Sequence, residues 1–421
     1  MKHILSNLLL LGLLGTGSVF QLMACSVFNA SGIDKVFSAT NKDWNNRETR
    51  ILFIPATLDT YGRVYFGYQL DVGFQNVGGM NDQGLWYDGA SLPARSDIMN
   101  HYNKPCVKGE LCEKALEQCA TVDEVIEMYK YYYTPHWQGH SMWADRFGNS
   151  VIIEYGEKDV VFIRKEQGFQ VMTNYYISDP GNSRWYKCYR FRAISEILEK
   201  ANSLDAEVMS EALEASHKEG MTPTLFSNVY DLKKGEIYLY HFHYYDELVR
   251  LNLSHELEKG DQYLEYPGLF HGIRLKSPAD DEMVDGSAIE IAWSGAAATY
   301  ELYCSTDSTF TNAQAIEVLS LSPGDSSLLG LSCLLILGLL SGWSVCLKKR
   351  FCVLLLSGLF FLGGCSGCSK LFISPNFPDT IDGSILLEDM NPASTYYWKI
   401  VALGDLGINS ESLVRSFTTR N

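Results

Sequence analysis

Residues 23–46 read MACSVFNASGIDKVFSATNKDWNN, and the place of Cys25 in that stretch decides how the rest is read. Lys2 and His3 give the chain a short positive start. Ile4 to Phe20 is mostly apolar, with four leucines from Leu8 to Leu11, and Ala24 is a small residue just before Cys25. Charged start, apolar run and small residue are the order of an export signal. Residues 1–24 are therefore expected to be a signal peptide, and the mature protein to be exported and to begin at Cys25. Asn7, Gly12, Gly15 and Gly17 interrupt the run, which favours removal over a retained anchor. A cysteine at a chain's N-terminus carries a nucleophile and a base on one residue. Its α-amine, with an ordinary pKa of about 7.7–8.0, can be neutral near working pH and accept the thiol proton. No catalytic histidine is then required.

Composition bounds the alternatives. The chain has 421 residues, comfortable for two domains. Its net charge of −16 argues against a nucleic-acid partner. None of the cysteines has zinc spacing, and no metal, nucleotide or flavin motif is present, so no cofactor is expected. A disulfide among Cys106, Cys112 and Cys119 suits an exported protein; free thiols suit the sequence equally well.

Outward from Cys25, strand-like runs recur as far as Phe270: RILFIPA (50–56), GRVYFGYQL (62–70), NSVIIEYGEKDVVFI (149–163), GFQVMTNYYI (168–177) and GEIYLYHFHYY (235–245). Gly, Asn and Asp turns separate them. Apolar spacing predicts helices over 108–132, 189–201 and 206–216. This first part is α+β. After Ile273 the texture changes to short strands between turns, as in SAIEIAWS (287–294) and ATYELYCSTDSTF (298–310), which is that of an all-β sandwich. Residues 390–419, MNPASTYYWKIVALGDLGINSESLVRSFTT, resemble a fibronectin type III module.

That second region, 273–421, is interrupted by apolar residues 328–364, divided by Lys348, Lys349 and Arg350. One reading is a membrane hairpin that turns at the basic triplet on the cytoplasmic side. The other notes that Leu362-Gly363-Gly364 before Cys365 looks like an internal lipoprotein signal, which would mark a fused reading frame. Membrane association through 328–364 is the reading favoured here.

Six motifs in order connect Cys25–Phe270 to one family. CSVFNASGIDKVFSATNKDWNN begins with Cys-Ser and places Asn41-Lys42-Asp43-Trp44 about 18 residues on. GGMNDQGLWYDGAS (78–91), HSMWADRFGNSVIIEY (140–155), VMTNYYISDP (171–180), KCYRFRAISEIL (187–198) and FSNVYDLKKGEIYLY (226–240) follow. Together they resemble the N-terminal-nucleophile linear amide hydrolases: choloylglycine hydrolase, penicillin V acylase and the isopenicillin-N acyltransferase and carcinine-hydrolase-like branch. The resemblance implies a four-layer αββα sandwich over 25–272 and cleavage of a linear C–N bond in a small N-acyl amide, with water or another acceptor completing the reaction. It implies Cys25 as nucleophile, Asp43 holding its α-amine, Asn174 donating to the oxyanion from its amide nitrogen, and Arg190 lowering the thiol pKa. Asn81 and Ser91 are further second-shell or oxyanion candidates. Relatives are often homo-oligomers. Thr40 and Ser91 depart from the bile-salt and penicillin V pattern, which weakens both as substrates. Two rivals remain: Leu22-Met23-Ala24-Cys25 also resembles a lipoprotein box, and a lipidated Cys25 would anchor a binding protein on an inactive scaffold; the second is a structural surface protein whose fibronectin-like module is its working part.

Overall fold

Side-chain alternation organises the first two strands. β1 (Ala24–Ser31) and β2 (Val36–Asp43) pair antiparallel, with Cys25 opposite Lys42 and Ala24 opposite Asp43. Phe28, Ala30, Phe37 and Ala39 point to one side; Cys25, Val27 and Val36 point to the other. Both faces are apolar because both are covered. The computed structural model describes residues 24–94, 104–107, 110–132, 139–156, 159–179, 181, 188–311, 313–319, 380–404 and 406–420. The expected signal peptide, but for Ala24, and the whole 328–364 insert lie outside them.

The sheet containing β1 and β2 runs in the order Phe169–Met172, β1, β2, Thr224–Asp231, Glu236–His241, Glu247–Asn252. A second sheet runs Gln262–Glu265, Thr49–Ile54, Arg63–Leu70, Gly73–Asn81, Trp86–Ser91, Gly139–Ala144, Ser150–Tyr155, Val160–Arg164. Val27, Phe226 and Leu239 of the first sheet meet Phe53, Phe66, Tyr68 and Trp86 of the second in one core. Helices α1 (Leu111–Gln118) and α2 (Val122–Tyr131) cover the outer face of the second sheet, against Tyr87, Trp143 and Ile153. Helices α3 (Tyr189–Lys200) and α4 (Ala206–Ser216) cover the first, against Phe28, Ala39 and Val229. The layer order is therefore α, β, β, α.

The single helix expected over 108–132 is two. Thr121 accepts from the Glu124 backbone N–H at 3.3 Å, and the Glu124 carboxylate reaches back to the Thr121 N–H at 3.0 Å. This capping box starts a new helix at Val122. Cys106, Cys112 and Cys119 are free thiols.

The C-terminal strands form a two-sheet sandwich. Arg274–Ser277, Ile289–Gly295 and Ile381–Leu387 make one sheet. It packs through Ile291 and Trp293 on Leu302, Trp398, Ile400 and Phe417 of the other. Strands from either side of the insert pair: Ile289 with Leu387, and Tyr300 with Ala402. The boundary expected at 272–273 joins rather than separates. Val249 pairs with Ser410, so the first sheet runs on into the sandwich. The Glu247 carboxylate accepts from the backbone N–H groups of His271 at 2.8 Å and Ile273 at 3.1 Å, clamping the linker. Among the described residues no helix is long and apolar enough to cross a membrane.

Candidate active site

The site lies at the N-terminal end of β1. The backbone nitrogen of Cys25 donates to Asn174 Oδ1 at 3.0 Å. Arg190 donates to the Cys25 carbonyl at 2.7 Å, to Asn174 Oδ1 at 2.8 Å and to Asp43 Oδ2 at 3.4 Å. Arg190 stands in the first turn of α3. A cation there opposes the helix dipole, so acceptors in the site, not the helix, account for its place. Asp43 Oδ1 accepts from Thr224 Oγ1 at 2.6 Å. Thr224 faces it across a register shift between Thr224 and Phe226, an irregularity of the kind that re-aims side chains beside functional sites. Burial pushes the Asp43 carboxyl up to about 6, with Arg190 and Thr224 working against the rise.

The structure thus brings Cys25, Asp43, Asn174 and Arg190 together. It differs from the expectation in how they are used. The Cys25 nitrogen meets Asn174 Oδ1, while Asp43 is engaged by Arg190 and Thr224. The Asn174 amide nitrogen donates to the Ser91 carbonyl at 2.8 Å, which uses one of the two hydrogens of the group expected to serve an oxyanion. Ser91 enters through that carbonyl. Asn81 is not brought to the thiol. Its amide nitrogen donates to the carbonyls of Leu116 and Cys119, each at 2.8 Å, and its oxygen accepts from Gln83 and Leu85, which ties a turn to the end of α1.

Two residues carry weight that the motifs did not announce. Lys42 lies opposite Cys25 in the β-pair, so both side chains enter the space between the sheets. Lys42 Nζ donates to Asp88 Oδ1 at 2.5 Å, to the Gly89 carbonyl at 2.9 Å and to the Val77 carbonyl at 3.1 Å. Burial pushes the Cys25 thiol up to about 11, and Lys42, not Arg190, is the cation that opposes it. The thiol is therefore held in its protonated form, against the lowered pKa that the resemblance implies. It is fully buried. Tyr68, on Arg63–Leu70, shares the same core as Cys25.

Behind the site, a buried pair braces the Thr173–Asn174 turn. His140 has Glu154 Oε1 at 3.0 Å on one ring nitrogen and the Thr173 carbonyl at 2.7 Å on the other. Glu154 also accepts from the N–H groups of Ile177 and Ser178. A cavity of about 390 Å3 is lined by Phe74, Tyr87, Gly89, Ser91, Tyr129 and His140, among others. Tyr87 faces α1 and α2 while Trp86 and Ala90 face the core. The cavity reaches both sides of the second sheet: Tyr87 and Phe74 belong to its helix side, and Leu70 and Val77 pack against the core that holds Cys25.

No family model matches the chain, and no curated protein matches it. Solved structures similar to it include two variant forms of conjugated bile acid hydrolase from Clostridium perfringens. They are 15% and 16% identical, each with a TM-score of 0.47, covering 58% and 57% of this chain and 97% of those chains. Penicillin V acylase from Agrobacterium tumefaciens is 18% identical, with a TM-score of 0.47, over 57% of this chain and 91% of that one. These neighbours belong to the N-terminal-nucleophile family that the sequence motifs resemble.

Proposed function

We propose that the chain, cut between Ala24 and Cys25, is an exported N-terminal-nucleophile hydrolase. It cleaves the linear C–N bond of a small N-acyl amide through a thioester on Cys25. The observation that carries this reading is the convergence of Asn174 and Arg190 on the backbone nitrogen and carbonyl of one cysteine. Ordinary strand ends do not need an arginine and an asparagine to hold them.

Cutting turns the Cys25 amide into an amine. That amine takes the thiol proton; the sulfur attacks the substrate carbonyl, forming C–S and placing the π pair on oxygen. The tetrahedral centre collapses, the C–N bond breaks, and the ammonium returns its proton to the leaving nitrogen. Water then attacks the thioester by the same route. Asn174 Oδ1 orients the amine, and Arg190 fixes the carbonyl of the same residue. We also read 273–421 as a fibronectin type III-like module and 328–364 as its membrane-associating insert.

The test is a screen of N-acyl amides, β-lactams and N-acyl amino acids against secreted protein whose N-terminus is verified by mass spectrometry. Hydrolysis by the wild type and none by Cys25→Ala is expected. Equal activity in the two, or a diacylglycerol found on Cys25, refutes the reading.

A further inference from the structure

We propose that the Tyr68 hydroxyl is the hydrogen-bond donor to the oxyanion formed when Cys25 attacks its substrate, an inference that rests on the amide-hydrolase reading above. That reaction places a negative charge on the former carbonyl oxygen. A preorganised donor aimed at this charge is commonly the largest single catalytic contribution. The amide donors suggested by sequence are drawn on elsewhere: one Nδ2 hydrogen of Asn174 goes to the Ser91 carbonyl, and both Nδ2 hydrogens of Asn81 go to the end of α1.

Tyr68 has what they lack. It is 0% exposed, and its hydroxyl has no hydrogen-bond partner among the described residues. Buried hydroxyls are nearly always paired, and an unpaired one calls for an explanation. Val64, Phe66 and Tyr68 all point between the sheets, the side to which Cys25 points. The phenol is in electrostatic reach of the Cys25 thiol and of the Asp43 and Asp88 carboxylates. Its ring is held edge-on by Trp44, with centroids 4.5 Å apart, and flanked by Phe226 at 6.0 Å.

The backbone is shaped for this placement. The strand pairing shifts register between Phe66 and Gly67, immediately before Tyr68. A Cβ on Gly67 would lie 2.1 Å from the Gln75 carbonyl oxygen, so only glycine fits there. Burial and the neighbouring negative charges push the phenol well above its ordinary value. The group therefore stays protonated and donates. It transfers no proton: its hydrogen bond to the oxyanion shortens as C–S forms and lengthens again when C=O re-forms and C–N breaks.

The test uses mature protein with a verified Cys25 N-terminus and two reagents. p-Nitrophenyl acetate acetylates Cys25 through an oxyanion; iodoacetamide alkylates the same sulfur by displacement, without one. Both products are read by mass spectrometry. Tyr68→Phe keeps the ring and removes the hydroxyl. Acetylation is expected to slow by about 10²–10³-fold, the loss typical of one oxyanion donor, with alkylation unchanged. The melting temperature should hold or rise, since an unpaired buried hydroxyl is removed. Should the Phe variant not fold, 3-fluorotyrosine at position 68 keeps the hydroxyl, and acetylation must then persist. Acetylation of Tyr68→Phe within about threefold of wild type, against a donor's expected loss, overturns the assignment, as does equal slowing of both reactions. A wild type that is alkylated but never acetylated sinks the amide-hydrolase reading itself, and Tyr68 with it.

Discussion

Replacing Lys42 with methionine tests the electrostatics of the thiol side. Lys42 and Asp88 are 0% and 1% exposed, and the ammonium has three acceptors: Asp88, Gly89 and Val77. Methionine keeps most of the volume and removes the charge and all three donors. Breaking a buried pair by deleting one partner costs about 3–5 kcal/mol, because the other charge is left uncompensated. For a chain of 421 residues, at about 2.1 cal/mol/K of unfolding entropy per residue, that is a fall in Tm of roughly 3–6 °C. The pH dependence follows from Asp88. Burial already pushes its carboxyl up to about 6 while Lys42 works against the rise; without Lys42 it climbs further. A carboxyl raised above its unfolded value of about 3.9 contributes stability that is present below that value and lost as pH rises through the folded one. The penalty of Lys42→Met should therefore be full at pH 8 and small at pH 4. Urea midpoints across that range measure it. Lys42→Met with Asp88→Leu should recover most of the loss, since an apolar replacement of a buried pair is often neutral or stabilising. A single variant within about 1 kcal/mol of wild type at pH 8, against the 3–5 expected, would refute the reasoning, as would a penalty that ignores pH.

Other outcomes follow from the same contacts. Activity of the mature protein should fall as pH drops through about 6, where Asp43 takes a proton. Thr224→Val deletes the 2.6 Å hydrogen bond that favours the carboxylate, and the acid limb of the kcat/KM profile should move upward. Arg190→Lys should not rescue Arg190→Ala, because Nη1 and Nη2 reach different acceptors and one ammonium cannot span both; a loss on the order of 10²-fold in kcat/KM is expected for each from displaced geometry. Gly78→Ala places a Cβ 2.3 Å from Asp88 Oδ2, so it should lower Tm and slow Cys25 alkylation together. Ending the chain after Gly272 removes the strand that pairs with Glu247–Val249; the truncated protein should aggregate through the bared edge, as measured by light scattering.

How much of this was legible depends on whether the signal is local. Cys25, Asp43, Asn174 and Arg190 each sit in a short motif, so order along the chain was enough to gather them. The two-helix split was also local: Thr121 and Glu124 spell a capping box, but the apolar spacing runs through it and hides the stop. Lys42 is different. In sequence it is one lysine in a strand, and its meaning comes from Asp88 on the other sheet, 46 residues away. Tyr68 is one tyrosine among 25; only a folded interior shows that its hydroxyl is unpaired. The shared sheet across 272–273 rests on Val249 meeting Ser410, a pairing that no local pattern encodes.

The period of two in a β-strand explains why the visible and hidden halves of the site divide as they do. Asn41 and Asp43 of β2 point to the α3–α4 side. There Asn41 donates to the Leu213 carbonyl of α4 and Asp43 meets Arg190 of α3, which acts on the Cys25 backbone. Lys42 points between the sheets, where it meets the thiol side with Asp88 and Tyr68. One face therefore governs the amine and the other governs the sulfur and the charge that follows from its attack. Substitutions on opposite faces should act nearly independently: the link between them is the charge of Asp43, which Thr224 holds by a hydrogen bond and which lies within electrostatic reach of the Tyr68 phenol. Thr224→Val should move the acid limb by nearly the same amount in wild type and in Tyr68→Phe, while Tyr68→Phe lowers the plateau by nearly the same factor in both backgrounds. The expected coupling is about 0.5 kcal/mol, the low end for sites with a shared partner. A coupling well above that would mean that the amine and the oxyanion are not served from separate faces of the sheet.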